Sequence, residues 1–371
     1  MMKEKIMIYP FSDAIEFYVK HSNLLNKFEI KSLVSFKGAG YLTRKYKVEE
    51  KCIHVSEKFS EELEMCTALL PVFSNEKGLE KKDEELASLM PNVNELILDK
   101  IKIAISKEKK IIILDDRTKE TEILLKAVPK ELQICIKRED IDSAENVVKK
   151  MYNIESPVVF LGSAFEGLNE MNLLLTLYEG LTSKGYRILA FGTRGESELF
   201  GIHSYPHINM EDSERIIFLN NYIKMMENKY KPDIILMSVS GGTAPFSMKA
   251  PLDFGTELFR MIRACMPDYA IISIPYAQYT DLDIVQWSRY YKRNFGINVD
   301  AYNIVPKAIL QQLTETYNDP KYLSVDRELV EKILEKTFDL PVYSYSSSIS
   351  VENLVDCILL KLQGNKITNY V

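Results

Sequence analysis

The run Val158-Val159-Phe160-Leu161 limits the fold more than any other part of this chain. Four apolar residues without alternation suit a strand buried on both faces, and such strands occur in parallel sheets with helices packed above and below. The flanking sequence agrees. Gly162 to Leu168 reads as a glycine-bearing loop, Asn169 to Ser183 as a leucine-rich helix, Gly185 as its stop and Arg187 to Phe191 as a returning strand. Strand, loop, helix and strand within about 30–40 residues make one βαβ unit.

The alternation continues on both sides. Strands are predicted at Ile6 to Tyr9, Ile30 to Phe36, Lys110 to Leu114 (running into Asp115 and Asp116) and Gln133 to Ile136, with helices at Asp13 to Leu25 and Thr118 to Ala127. The charged stretch from Asn75 to Leu89 lacks a clear period and reads as a solvated loop or surface helix, and Asp140 to Met151 as a connecting helix. Beyond the βαβ unit, strands are expected at Ile234 to Met237, Ala270 to Ile274 and Val342 to Tyr345, and helices at Asp281 to Phe295, Asp326 to Lys336 and Val351 to Leu362. A chain of 371 residues has room for two domains. The boundary is placed near residue 152, giving a Rossmann-like domain over 1–152 and a second parallel-sheet α/β domain over 153–371.

With 47 basic and 53 acidic residues the net charge is −6, which argues against nucleic acid as a partner. Cys52, Cys66, Cys135, Cys265 and Cys357 are scattered and odd in number, fitting neither a disulfide framework nor a zinc set, so a reducing cytoplasm is expected. His203 and His207 stand four apart, but Pro206 argues against a helix presenting them on one face, and no metal is expected. No stretch approaches the ~18 apolar residues of a membrane span. No serine sits in a GxSxG elbow, and no cysteine carries a nucleophile signature.

Gly162-Ser163-Ala164-Phe165-Glu166-Gly167-Leu168-Asn169 has the glycine spacing of a phosphate loop, GxxxxGK[ST], in the required strand-to-helix context. Leu168 replaces the lysine that reaches the β/γ oxygens, and Asn169 replaces the hydroxyl that holds Mg²⁺. Glu166 puts a carboxylate inside the loop, and Ser238 ends the strand where a metal-positioning acid belongs. The second domain is therefore predicted to be P-loop NTPase-like with a degenerate loop; the plainer reading of Gly162 and Gly167 is a tight βα turn with no ligand.

Ser240-Gly241-Gly242-Thr243 follows a strand and should reach the same sheet edge, where open α/β sheets bind ligands. Its glycines permit close backbone approach, and its hydroxyls suit an anion or a peptide carbonyl. A turn preceding Pro245 explains it equally well. Enlarging Gly242 to valine is expected to leave the melting temperature almost unchanged unless that residue needs positive φ. Arg194, in Gly192-Thr193-Arg194-Gly195-Glu196, could stand in for the absent lysine as an anion clamp, or simply pair with Glu196 or Glu198. On the predicted helix around Trp287, Arg289, Lys292 and Arg293 share a face suited to an acidic peptide, although cations in a last turn also serve the helix dipole.

Tyr9-Pro10-Phe11-Ser12, Ser35-Phe36-Lys37-Gly38-Ala39-Gly40-Tyr41, Gly201-Ile202-His203-Ser204-Tyr205-Pro206 and Ser240-Gly241-Gly242-Thr243-Ala244-Pro245 together resemble a clostridial-type peptide maturation system family. That resemblance implies ribosomally made, modified peptides and neighbouring radical-SAM-type enzymes as the setting. The later half also resembles dethiobiotin-synthetase-type P-loop proteins, with Gly162 and Gly167 matching the loop glycines and Leu168 and Asn169 departing from the pattern.

The expectation is a cytoplasmic accessory or scaffold protein without intrinsic NTP hydrolysis, binding a precursor peptide or a modifying enzyme through Ser240, Gly241, Gly242, Thr243, Arg194, Gly162 and Gly167. No cofactor beyond weakly held nucleotide, no nucleic acid and no membrane enter it. The alternative is a nucleotide-dependent, ligase-like enzyme with a non-standard phosphate clamp.

Overall fold

The computed structural model describes residues 3–42, 44–48, 51–73, 93–114, 118–138, 149–168, 170–206 and 210–368. The charged stretch at 75–89, Asp115, Asp116, most of the helix expected at 140–151, Asn169 and His207 lie outside the described residues. The protein is α/β and divides into two compact units, one of Met1–Asp140 with Arg194–Ser204, the other of Ile141–Thr193 with Tyr205–Val371. A cut at residue 152 leaves Arg194–Ser204 in the second domain, whereas the fold groups it with the first. The reason is aromatic: Phe200 packs against Phe17 and Tyr18, with centroids 5.9 and 5.5 Å apart.

The first unit is Rossmann-like. Its strands are β1 (Glu4–Tyr9), β2 (Phe28–Val34), β3 (Lys45–Val48), β4 (Lys51–Ser56), β5 (Ala68–Pro71), β6 (Lys110–Leu114) and β7 (Gln133–Ile136), in the order β3-β4-β2-β1-β5-β6-β7. Only β3 runs antiparallel to its neighbour. The remaining strands follow the spatial order 3-2-1-4-5-6 of dinucleotide-binding folds. Ile97, Ile101 and Ala104 form the buried stripe of the helix Val93–Ser106, which joins a core containing Met7, Leu69, Ile111 and Ile113. The helix expected from Asp13 to Leu25 is broken into Asp13–Ile15, Phe17–Lys20 and Ser22–Leu24. Phe17, Tyr18 and Val19 are all buried in succession, a demand that a one-sided helical stripe does not meet.

In the second unit, β8 (Val158–Ser163) is flanked by β11 (Ile234–Gly242) and β12 (Tyr269–Pro275). With β9 (Ile188–Gly192), β13 (Ala301–Val305) and β16 (Val342–Tyr343), the parallel order is β9-β11-β8-β12-β13-β16. β10 (His203–Ser204) ends the segment grouped with the first unit, and β14 (Lys307–Ile309) pairs antiparallel with β15 (Tyr322–Ser324). The sequence reading missed that hairpin and the helices Asp212–Tyr230 and Thr256–Ala264. Glu227, on the first of these helices, anchors the start of β8: its carboxylate accepts from the amides of Glu155 (2.8 Å) and Ser156 (2.6 Å) and pairs with Lys224. The helix Asp281–Phe295 starts at a Thr280–Asp283 capping box and stops at Gly296, whose φ is +76°.

Candidate functional site

Gly162 lies within β8. A Cβ there would stand 2.9 Å from Ile272 Cδ1 and 3.4 Å from Thr243 Cγ2, so cross-sheet packing, not a phosphate, calls for glycine. Gly167 has φ +85°, and a side chain there would press on the Tyr322 ring at 3.2 Å. Leu168, in the lysine position, is 0% exposed and belongs to the core. The β14–β15 hairpin holds this loop by its carbonyls: Tyr322 Oη donates to the Glu166 oxygen at 2.6 Å and Lys307 Nζ to the Gly167 oxygen at 2.9 Å. In a trans peptide N–H and C=O point oppositely, so the Gly167 and Leu168 amides face away from the hairpin. Among the described residues nothing accepts from the amides of Phe165, Glu166, Gly167 or Leu168. Tyr322 and Lys307 were missed in the sequence, where neither belongs to a motif.

The second glycine pair serves the same interlock. Between Ser238 and Gly242 the register of β11 against β8 breaks, and Gly241 turns through φ +75°. A Cβ on Gly241 would meet Asp253 Oδ2 at 2.6 Å; one on Gly242 would stand 3.2 Å from the Ala164 oxygen. Valine at 242 must therefore push the two loops apart, and the expected indifference of the melting temperature is corrected: a close backbone approach needs the glycine although its φ is ordinary.

Thr243 is fully buried. Its hydroxyl donates to the Ser163 carbonyl at 2.8 Å and meets Tyr291 Oη at 2.7 Å, while its amide bonds the Ser163 and Ala164 oxygens. Because the single hydroxyl hydrogen goes to Ser163, Tyr291 is the donor in the second bond. Burial raises the Tyr291 phenol well above its ordinary pKa, the Thr243 bond acting against this, which keeps that donor protonated. Thr243 is thus a bolt between loops and has no hydroxyl free for a ligand; of the two hydroxyl residues, Ser240 alone is exposed. The Ser163 and Ser238 hydroxyls are buried without partners among the described residues.

Three separately noted segments nevertheless converge. Phe165 packs edge-on against Phe246 (5.3 Å) and Trp287 (6.1 Å), Trp287 against Tyr290 (6.5 Å), and Tyr290 Oη reaches the Thr243 carbonyl at 3.4 Å. Phe246, Trp287 and Tyr290 remain half-exposed. The loop after Ala244 carries Met248, 100% exposed, and Phe254, 67% exposed. Leu252 has φ +61°, a left-handed conformation that strains a leucine.

Arg194 does not belong to the unit that carries this surface. It belongs to the first unit, where it is exposed and precedes the 3₁₀ helix Gly195–Phe200; it makes no ion pair among the described residues, and Glu198 instead accepts from Ser204. The cation beside the degenerate loop is Lys307. No cluster of three or more His, Cys, Asp or Glu side chains forms among the described residues, and none of their helices is long and apolar enough to cross a membrane.

No protein-family model matches the chain, and no curated protein does so significantly. Solved structures do. A DUF1611 family protein from Anabaena variabilis is 13% identical, with 96% of this chain and 100% of that one covered at a TM-score of 0.57, a likeness of fold over both units. Chloroplast FtsY from Physcomitrella patens aligns at 13% identity over 73% of this chain and 84% of its own, TM-score 0.33. A GTPase in apo form from Pyrococcus abyssi aligns at 12% identity over 57% and 98%, TM-score 0.29. The protein consists of a Rossmann-like unit and a second α/β unit built on a parallel sheet.

Proposed function

We propose that this chain is a cytoplasmic accessory protein of ribosomal peptide maturation that binds a precursor peptide or its modifying enzyme and hydrolyses no nucleoside triphosphate. The observation that carries this reading is the contrast at one sheet edge: Leu168 is wholly buried where a phosphate loop needs an exposed cation, while the adjoining Phe246, Trp287 and Tyr290 stay open to solvent. The peptide-maturation setting comes from the resemblance carried by segments such as Ser240-Gly241-Gly242-Thr243-Ala244-Pro245. Without a lysine at 168, an acid at 238 or a hydroxyl at 169, the loop lacks the groups with which a phosphate loop neutralises the developing γ-phosphate charge. Phosphate release from ATP or GTP with Mg²⁺ is expected to equal a protein-free blank; turnover abolished by Lys307→Ala would overturn the reading.

One observation favours the alternative, a nucleotide-binding enzyme with a non-standard clamp. The unclaimed amides of Phe165 to Leu168 suit a phosphate group, and the same loop carries a cation, Lys307, on the Gly167 carbonyl. Under that reading ADP raises the melting temperature and Lys307→Ala removes the rise. Under the first, ADP leaves the transition in place or shifts it only at millimolar concentration.

A further inference from the structure

The exposed side of the helix Asp281–Phe295 joins the aromatic surface to a set of unpaired cations. Leu282, Gln286, Arg289 and Arg293 recur at i, i+4, i+7 and i+11, with Lys292 beside them, and all are exposed. The side chains of Arg289, Lys292 and Arg293 pair with no carboxylate among the described residues. Tyr290 links the two surfaces: it precedes Arg293 by three residues on the helix and packs against Trp287. The rim adds Lys249, which is 82% exposed and pairs with Glu315 at 3.8 Å, the exposed Glu166 beside Phe165, and Asp253, whose Oδ1 already accepts from the amides of Phe254 and Gly255. In a chain of net charge −6 these exposed cations share a helix with the half-exposed Trp287, Arg293 standing nearest to it by way of Tyr290, and Lys249 stands next to Met248, which like Phe254 the fold leaves uncovered.

The loop that presents Met248 is built, not loose. Phe246 N bonds the Pro251 oxygen and Ser247 N the Ala250 oxygen, closing a tight turn with Met248 and Lys249 at its tip. The left-handed Leu252 and Gly255, φ +61° and +75°, fix where Phe254 emerges. Preorganised aromatic and methionine side chains with a cationic rim have the composition of a peptide-docking surface, apolar anchors supplying affinity and rim charge selecting the partner.

We propose that this surface docks an acidic peptide segment in which an aromatic or long aliphatic residue stands among carboxylates. The inference rests on the peptide-binding reading above and narrows it: the anchor residue seats on Phe246, Trp287 and Phe254, and the carboxylates face Arg289, Lys292 and Arg293. The test is fluorescence anisotropy of the full chain with four probes: a labelled glutamate-rich peptide interrupted by phenylalanine, its lysine-rich counterpart, an oligo-glutamate without phenylalanine, and oligouridylate. Phosphatidylserine vesicles form a fifth arm, read by sedimentation.

The glutamate–phenylalanine peptide is expected to bind saturably and to weaken as salt rises. Arg289→Glu with Arg293→Glu should weaken it by at least about tenfold, and Phe254→Ser by a similar factor. These side chains are exposed, so unchanged melting curves should accompany both losses; Trp287 fluorescence titrated with the unlabelled peptide gives a readout independent of the variants. Equal binding of oligo-glutamate, or preference for oligouridylate or vesicles, overturns the proposal. Preference for the lysine peptide overturns it while leaving the peptide-binding reading intact. Binding of no peptide at all sinks both, whereas nucleotide hydrolysis would count against the proposed function alone.

Discussion

At the end of β1 the first unit turns through Tyr9, Pro10 and Phe11, and the Tyr9 ring packs edge-on against Phe36 (5.4 Å) and Phe59 (5.0 Å). At the end of β8, the corresponding first strand of the second unit, the chain turns through Gly167, and two loops interlock through Thr243 with backbone in near contact. Both are carboxyl ends of central parallel strands, where such sheets bind ligands. In the first, large side chains and the Asp13–Arg44 ion pair occupy the region around the strand end. In the second, glycines let backbones close on each other, which displaces the aromatic rings outward and leaves them partly wet. A partly exposed aromatic surface results where backbone, not side chain, seals the sheet edge.

The largest test of that contrast is glycine replacement. Gly255→Ala would place a methyl 2.5 Å from Phe295 Cζ and 2.8 Å from the Thr243 carbonyl at φ +75°, and should cost about 3 kcal/mol or more. Gly38→Ala in the first unit shares the left-handed φ, +78°, with open space around it, and should cost only about 1 kcal/mol. Urea unfolding of the two variants measures the difference; equal losses would mean that backbone approach is not what distinguishes the units.

A smaller effect is expected from the bolt. Thr243→Val strands the Tyr291 hydroxyl and removes a donor from the Ser163 carbonyl, which should cost roughly 1–3 kcal/mol, lowering the melting temperature by about 2–4 °C per kcal/mol. A double-mutant cycle with Tyr291→Phe should show coupling. Breaking the Asp13–Arg44 pair, whose side chains are 38% and 47% exposed, should change stability by less than about 1 kcal/mol.

The smallest differences concern acid. Burial tends to raise the Glu227 pKa, but Lys224 and the amides of Ser156 and Glu155 outweigh it and hold the carboxyl below its ordinary 4.5. Below that value the unfolded chain binds the proton first, so the stabilisation is complete above pH 4.5 and is lost as pH falls through the folded pKa. Glu227→Gln should flatten the acid limb of a stability–pH curve. Glu4, lowered mainly by Lys110 and Thr67 but with its side chain 29% exposed, should matter less; a larger flattening by Glu4→Gln would reverse the ranking.

Much of the frame was legible in the sequence. The buried runs at Val158–Leu161, Ile234–Met237 and Ala270–Ile274 are strands, and Gly185, at φ +89°, follows the end of the helix Glu170–Ser183, because these depend on residues a few positions apart. The degenerate loop was visible as Leu168 in place of lysine. Of the hydroxyls read as available to a ligand, that of Thr243 is consumed by Ser163 and Tyr291. Arg194 was grouped with the loop by its place at the end of β9, yet the segment it begins follows Phe200 into the first unit's contacts.

The sequence by itself determined the alternation of buried strands and helices, the pairing of glycine with tight turns and the loss of the phosphate-loop cation, since each is set by the chemistry of neighbouring residues. Tertiary structure alone decided which donors are spent and which remain. Tyr322 and Lys307 reach the Glu166 and Gly167 carbonyls across 156 and 140 residues of chain. Tyr291 meets Thr243 across 48. A hydrogen-bonding group has no preference among distant partners until strand order brings one within about 3 Å, and only then does the same hydroxyl become either a ligand site or a bolt.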